Sequence, residues 1–392
     1  MASEAPLFSD FTAVSKAEWL ARMEKDLRGK PLDDIRWHLN RDITLEPAYH
    51  PEDRPKRRPP LRSQPGWQVG EYISLDEVEE ARIRLQQALN GGVEAPVLRF
   101  KRTFSDAEWD RMLDGLLPDA ISVHLEEMYS RKQPQALLGQ WHQWLERQGH
   151  DPRQVRGTID VDPLLDESDP DFDKLLAIVQ QCREDLPGYR CVQVNARIFH
   201  GAIQAVEQEL ALTLAKANEY LVQLTERGLN PADVLARMHL SMAVGTSYFV
   251  EIAKLRALRL LWPNLLQGYG AAELPMPSMA VHLAMESQSE TDSYANMIQA
   301  STQVMSAVLG GADLIFVLPA NANLKEPSTS FTRRIARNVQ HILKLEAHLD
   351  KVADPLAGSY FVEELTDLLA QKAWVLFQAF EADGGYMESN LL

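Results

Sequence analysis

Short apolar, β-branched runs alternate with longer helical stretches over most of this chain, and that rhythm limits it to a fold built of parallel βα units. The candidate strands are Pro96–Phe100, Ala120–Leu125, Thr158–Val161, Cys191–Asn195, Met238–Val244, Met279–Ala284, Leu314–Leu318 and Lys351–Ala353. Helices such as Asp76–Leu89, Ala202–Arg227 and Thr246–Trp262 separate them. About eight such units are what a closed barrel requires, so the expected class is α/β, a (β/α)8 TIM barrel. An open doubly wound sheet would show a glycine-rich first turn, and the sequence has none.

The first 65 residues do not share the rhythm. Ser15 and Glu18 form an S-x-x-E capping box. Trp19, Leu20, Met23 and Leu27 then fall on one face of a helix that stops near Gly29. A strand-like piece, Asp42–Tyr49, leads into His50–Pro65, which is too rich in proline and charge for regular structure. Residues 1–65 are therefore expected to be an extended arm and residues 66–392 the barrel. An arm this small has no core of its own, so its apolar stripe needs a surface, on this barrel or on another subunit. The basic run Lys56, Arg57, Arg58 and Arg62 reads as a solvated linker face.

Composition removes several functions. The formal net charge is -16, spread along the chain, whereas a nucleic-acid binder presents a basic face. The start, MASEAPLFSDF, has no basic segment followed by an apolar one, and no apolar run is long enough to span a membrane. A cytoplasmic location is expected. Cys182, on a helix, and Cys191, in a buried strand, form no C-x-x-C and are expected to be inert core thiols. G-x-S-x-G, H-E-x-x-H, P-loop and G-x-G-x-x-G motifs are all missing.

The most specific text lies near the C-terminus. RIARNVQHIL, then the loop DPLAGSYFVE, then LTDLLAQKAW carry a proline, a glycine, a tryptophan and several aromatics at fixed offsets. Together with FVEIAKLRALRLLW (Phe249–Trp262), they resemble the barrel of adenosylcobalamin-dependent methylmalonyl-CoA mutases. The resemblance covers nearly the whole chain and is strongest from about Tyr189. It implies the family's barrel fold. In the helix Phe249–Trp262, Glu251, Lys254, Arg256 and Arg259 read as charges paired at the edge of a helix packed on the barrel.

Set against the family pattern, this chain departs where chemistry would be. The segment NARIFHGAIQAVEQELA resembles the one in which a histidine contacts the substrate thioester carbonyl. Anchored on Glu209-Leu210-Ala211, the comparison puts Ile198 at that position and His200 two residues later. Isoleucine can neither donate nor accept a hydrogen bond. Upstream, a YATMYTQRPW-like run is replaced by Leu61-Arg-Ser-Gln-Pro-Gly-Trp67, and Arg62 stands against the family's tyrosine. The loop carrying Asp162, Asp166, Glu167 and Asp169 lacks the arginine that holds the substrate carboxylate. Around His282 the H-x-Q-T-S-G-W pattern is lost, while Asp292, Tyr294 and Asn296 are kept. His282 with Glu286 could form a base and its orienter, or with Asp292 part of a metal site. Structural polar residues at a loop are the simpler reading. His200 and His282 are the weak catalytic candidates, and no metal site is expected.

No D-x-H-x-x-G loop, which would supply cobalt's lower ligand, occurs in the 392 residues. The resemblance therefore implies a barrel without a C-terminal cobalamin-binding domain, which binds no cofactor by itself. It points to the small, non-catalytic subunit of a heterodimer whose catalytic partner carries adenosylcobalamin and interconverts (R)-methylmalonyl-CoA and succinyl-CoA. The alternative is an active acyl-CoA mutase chain working with a separately encoded cobalamin-binding subunit.

Overall fold

The computed structural model of the protein describes residues 12–53, 60–62, 64–128, 132–201, 205–324 and 326–389. Lys56, Arg57 and Arg58 lie outside them. In the arm, β1 (Trp37–His38) and β2 (Thr44–Leu45) form a small antiparallel ladder. The main sheet has nine strands: β3 (Gln68–Leu75), β4 (Ala95–Phe100), β5 (Ser122–Glu127), β6 (Arg156–Ile159), β7 (Tyr189–Arg190), β8 (Val192–Asn195), β9 (Met238–Val244), β10 (Met279–Leu283) and β11 (Leu314–Phe316).

Their order is β7-β6-β5-β4-β3-β11-β10-β9-β8, and the pairings are parallel. Its two ends are neighbours in the chain. Only Cys191 separates β7, which pairs with β6, from β8, which pairs with β9. The two segments fill one strand position, so the sheet closes into a (β/α)8 barrel. Cys182 and Cys191 are both buried.

One expected strand is replaced by another. Lys351–Ala353 is a turn, and the remaining barrel position is filled by Gln68–Leu75. In Val69-x-Glu71-x-Ile73-x-Leu75 alternate residues face the helices, and the polar one, Glu71, is accepted there because Arg337 binds it at 2.6 Å. The turn is held by its own charges. Asp354 binds Arg256 and accepts from the Leu61 amide at 3.3 Å, which ties the end of the linker under the barrel.

The helix charges differ from the expectation in a second way. Lys254 and Arg256 are fully buried, not at an edge. Lys254 Nζ lies 2.9 Å from Glu209 and 2.7 Å from Glu251, and it donates to the Ala243 carbonyl at 2.8 Å. On a neighbouring helix the buried Lys216 binds Asp162 at 2.6 Å, and the Tyr220 hydroxyl donates to the same carboxylate at 2.5 Å. Asp162 is therefore a packed structural group and adds no free charge to the acidic loop. Ammonium groups reaching inward from the helix layer hold the ends of β8 and β9, with each charge paired as burial demands.

The arm has two parts. Ile43 and Leu45 are fully buried, Trp37 packs on Phe361 with ring centroids 5.7 Å apart, and Tyr49 stacks on Tyr360 at 6.0 Å. The helix Lys16–Asp26 has its capping box, and Arg28 and Gly29 follow in the left-handed region that ends it. None of its residues is buried. Its ties run to the arm itself: the Lys16 amide donates to Glu52 at 2.8 Å, and Trp19 lies 6.0 Å from His50. No helix among the described residues is long and apolar enough to cross a membrane.

Candidate functional site

In a barrel of this kind, chemistry belongs at the C-terminal ends of the strands. A cavity of about 490 Å³ opens there, lined by Glu126, Glu127, Asp160, Asp166, Lys132 and Arg197 among others. Beneath it the barrel axis is filled with side chains and keeps only about 30 Å³ of free space. Glu126, Asp160 and Arg197 line both spaces and so form the floor of one and the roof of the other.

Tyr72, His124, His239, His282 and Phe316 project into the axis. The His282 ring stacks on Phe316 at 4.8 Å, and its Nδ1 is hydrogen-bonded to the Tyr72 hydroxyl. The Arg99 guanidinium lies 3.6 Å above the Tyr72 ring and binds Glu126 at 2.5 Å. Burial, reinforced by the nearby Arg197 and Arg99, pushes His282 well below the ordinary imidazole range. His124 is pushed down to about 3 by burial and then by Arg190, and His239 to about 3 by burial and then by His124. All three rings are neutral near pH 7 and their Nε2 atoms have no hydrogen-bond partner. Burial and then the charge of Glu126 raise Asp160 to about 7.

The sequence candidates fall in different places. Ile198 sits in the turn after β8 at the mouth, 36% exposed, with no polar atom to offer. His200 is close by, but its Nδ1 is 3.3 Å from both Glu209 and Lys254 Nζ. Burial would lift Glu209; Lys254 and then His200 more than offset it, and the carboxyl stays below its ordinary range. His200 is thereby tied into the Lys254 cluster of the helix layer. His282 points into the axis and bonds Tyr72, not Glu286. Asp292 caps the helix Ser293–Gly310, accepting from the Tyr294 and Ala295 amides at 3.0 Å. Asn296 is buried and donates to the Ala320 carbonyl at 2.8 Å. Arg62 lies at the opposite end of the barrel, donating to the carbonyls of Gly66 and Ala312 in the segments that lead into β3 and β11. Ile198 and Arg62 therefore do not share a site.

Sequence reading missed the axis group of Tyr72, His124, Asp160, Arg197 and His239. A usable signal existed, because inward positions of a barrel strand recur with period two, and polar residues at those positions mark the lining. Among the described residues, no group of three or more His, Cys, Asp or Glu side chains is placed to hold a metal ion.

This barrel, with its polar axis and acidic mouth, belongs to a known family. The profile described as "Methylmalonyl-CoA mutase" matches residues 103–389, and the chain is a member of the methylmalonyl-CoA mutase family. It is 32% identical over 98% of its length to the methylmalonyl-CoA mutase small subunit of Porphyromonas gingivalis, covering 65% of that protein. The small subunit of Propionibacterium freudenreichii subsp. shermanii is 29% identical, with 97% of this chain and 64% of the relative covered. The methylmalonyl-CoA mutase of Rhizobium meliloti is 29% identical, with 94% and 58% covered. The chain thus spans less than two thirds of the length of these relatives.

Proposed function

We propose that this chain is the small, non-catalytic subunit of a heterodimeric methylmalonyl-CoA mutase. In that assembly a catalytic partner interconverts (R)-methylmalonyl-CoA and succinyl-CoA, and this barrel stabilises or positions it. The observation that carries the reading is the closed axis. Ligand sites have volumes of about 300–1,000 Å³, whereas Tyr72 and His282 border about 30 Å³ beneath Glu126, Asp160 and Arg197. Space for one water admits no thioester. At the mouth, where a larger ligand would fit, Ile198 in the turn after β8 has no side-chain hydrogen bond to offer a carbonyl.

The family implies adenosylcobalamin, which supplies radical chemistry when bound. Its cobalt needs a free imidazole, and neither candidate fits. His200 is engaged with Glu209 and Lys254, and His282 is sealed into the axis with its Nδ1 on Tyr72. The cofactor's place in this reading is the partner subunit. The stripe Trp19, Leu20, Met23 and Leu27, half-exposed in the single chain, is read as a contact for that partner. The location that suits this role is cytoplasmic.

The test is co-purification with the catalytic mutase subunit, with turnover and cobalamin content measured for each chain alone and together. A stoichiometric complex is expected in which this chain alone has no turnover and binds no cobalamin. Turnover by this chain with only an isolated cobalamin-binding protein would replace the reading with that of an active mutase chain.

A further inference from the structure

The two ends of the barrel differ in charge. On a chain whose formal net charge is -16, the N-terminal ends of the strands border a cavity of about 440 Å³ walled by Arg62, Arg190 and Arg259 and by one carboxylate, Asp313. That carboxylate is already spent, because its Oδ2 lies 2.9 Å from Arg259 and accepts from the Met279 amide at 2.9 Å. Among the described residues neither Arg62 nor Arg190 forms an ion pair. Arg190 donates to the Ser278 hydroxyl at 3.0 Å, and Arg62 donates to the carbonyls of Gly66 and Ala312.

Two of these arginines are also crowded together. Arg259 donates to the Gly311 carbonyl at 2.6 Å, and Arg62 to the next carbonyl along, that of Ala312, at 3.3 Å. Both side chains lie against Gly311, where a Cβ would stand 3.3 Å from Arg259 Nε and from Arg62 Cδ. The Nε atoms of Arg62 and Arg259 are buried without a hydrogen-bond partner. Burial lowers Arg62 and Arg190 from the ordinary guanidinium range, and the nearby Arg259 lowers Arg62 further. Like charges held together in a half-closed space repel, and an anion between them removes that cost. Leu274, Pro275 and Met276, on the loop before β10, give the same cavity an apolar side. Size and lining are those of a small-molecule site, a few convergent polar groups on an apolar wall. The filled axis separates it from the mouth.

We propose that this cavity binds an organic phosphate monoester. Its phosphate takes the guanidiniums of Arg62, Arg190 and Arg259, and its organic group lies along Leu274, Pro275 and Met276. Three arginines against one carboxylate leave an excess of two positive charges, and a phosphate monoester carries about -1.5 to -2 near pH 7. The planar guanidinium fork also matches phosphate oxygens. Arg62 comes from the linker, Arg190 from β7 and Arg259 from the helix Tyr248–Gln267, so the bound phosphate fastens the linker to the base of the barrel. The site belongs to this chain alone and holds whether or not the subunit reading does.

The experiment is titration calorimetry of the full chain near neutral pH with phenyl phosphate, inorganic phosphate and benzoate. Phenyl phosphate is expected to bind at one site and about tenfold tighter than either of the others, because it alone brings both the dianion and an apolar body to bury. Arg190→Met and, separately, Arg62→Met should each weaken it by about tenfold or more, as loss of a charged hydrogen-bond partner does. Melting of each variant checks the fold, and if one of the two does not fold the other carries the test. Absence of saturable binding by phenyl phosphate at millimolar concentration would overturn the site. So would an affinity no better than that of benzoate or inorganic phosphate, or one unchanged in a folded arginine variant.

Discussion

The helices Lys16–Asp26 and Tyr248–Gln267 are both apolar along a face, yet the first buries nothing and the second buries a lysine and an arginine along with its aliphatic residues. Neighbours make the difference. Tyr248–Gln267 lies among the helices Val206–Glu226, Ser293–Gly310 and Tyr360–Ala382, which cover it on several sides. Charges on its flanks must then find partners inside, and Lys254 and Arg256 do. Lys16–Asp26 touches the strap His50–Asp53 and leaves its stripe half-exposed. Amphipathic spacing shows which face of a helix is meant to be covered and leaves open what covers it.

The largest effect is expected where that contrast is sharpest. Lys254→Ala strands Glu209 and Glu251 without their buried partner, and breaking such a pair costs about 3–5 kcal/mol. Urea unfolding of the lone chain measures it; a loss below about 1 kcal/mol would mean that the carboxylates find water or each other. Leu45→Ala comes next. Leu45 is fully buried between arm and barrel, and removing such a side chain costs about 2–4 kcal/mol. A chain that melts as before would show that the ladder of the arm, like its helix, rests loosely.

Acid sharpens the contrast between the barrel's axis and its surface. The folded values of about 3 for His124 and His239 lie below the ordinary 6.5, so unfolded chains bind more protons between those limits. Their contribution is complete above pH 6.5 and is lost as the pH falls towards 3. Asp160 works in the opposite sense. Raised to about 7 from 3.8, it favours the fold at low pH and loses that contribution as the pH rises through 7. His282, also depressed, reinforces the histidine side. Each group contributes a slope of at most about 1.4 kcal/mol per pH unit, and the histidines outnumber Asp160. The axis groups taken together should therefore lose stability on acidification from pH 6.5 to 4.5, against the raised carboxyls of Glu71 and Asp162, which act in the sense of Asp160. His124→Gln with His239→Gln should flatten the slope, and an unchanged slope would place the loss in surface charges.

Trp19→Ala with Leu20→Ala is expected to shift the lone chain's stability by only about 0.5 kcal/mol, as exposed substitutions do. The same pair should weaken association with a catalytic partner by about 2 kcal/mol or more, as loss of large anchors does. Titration calorimetry and unfolding of the single chain separate the two outcomes. Equal affinity with a lowered melting point would return the stripe to its own barrel.

The barrel was legible because βα rhythm and apolar runs are local properties, and Met238–Val244 stands where it was expected. Gln68–Leu75 was hidden by Glu71, Gly70 and Gln68, whose place in a strand depends on Arg337 and Phe316, far away in sequence. Lys351–Ala353 looked like a strand because its few apolar residues carry no sign of the Arg256–Asp354 pair that folds it into a turn. The same limit applies to the site. Asp160 and His239 are ordinary residues in the text and meet only through barrel closure. Arg62 and Ile198 were set together by comparison with one family pattern, and the fold puts them at opposite ends.

The smallest expected effect bears most directly on catalysis. In the resembled catalytic chains a histidine after the strand contacts the thioester, and removing a donor of that kind costs about 100-fold to 1,000-fold in rate. Ile198 is the residue expected at that position, and His200 is engaged by Glu209 and Lys254. If no substrate is turned over at this mouth, His200→Ala has no transition-state contact to lose. In a complex with wild-type catalytic partner its turnover should stay within about twofold, or roughly 0.4 kcal/mol in barrier height. Unfolding of the isolated variant is the needed control, because losing a neighbour of Lys254 can loosen the helix layer. A variant that is stable and assembled yet a hundredfold slower would make His200 the substrate-contacting histidine and move catalysis into this barrel.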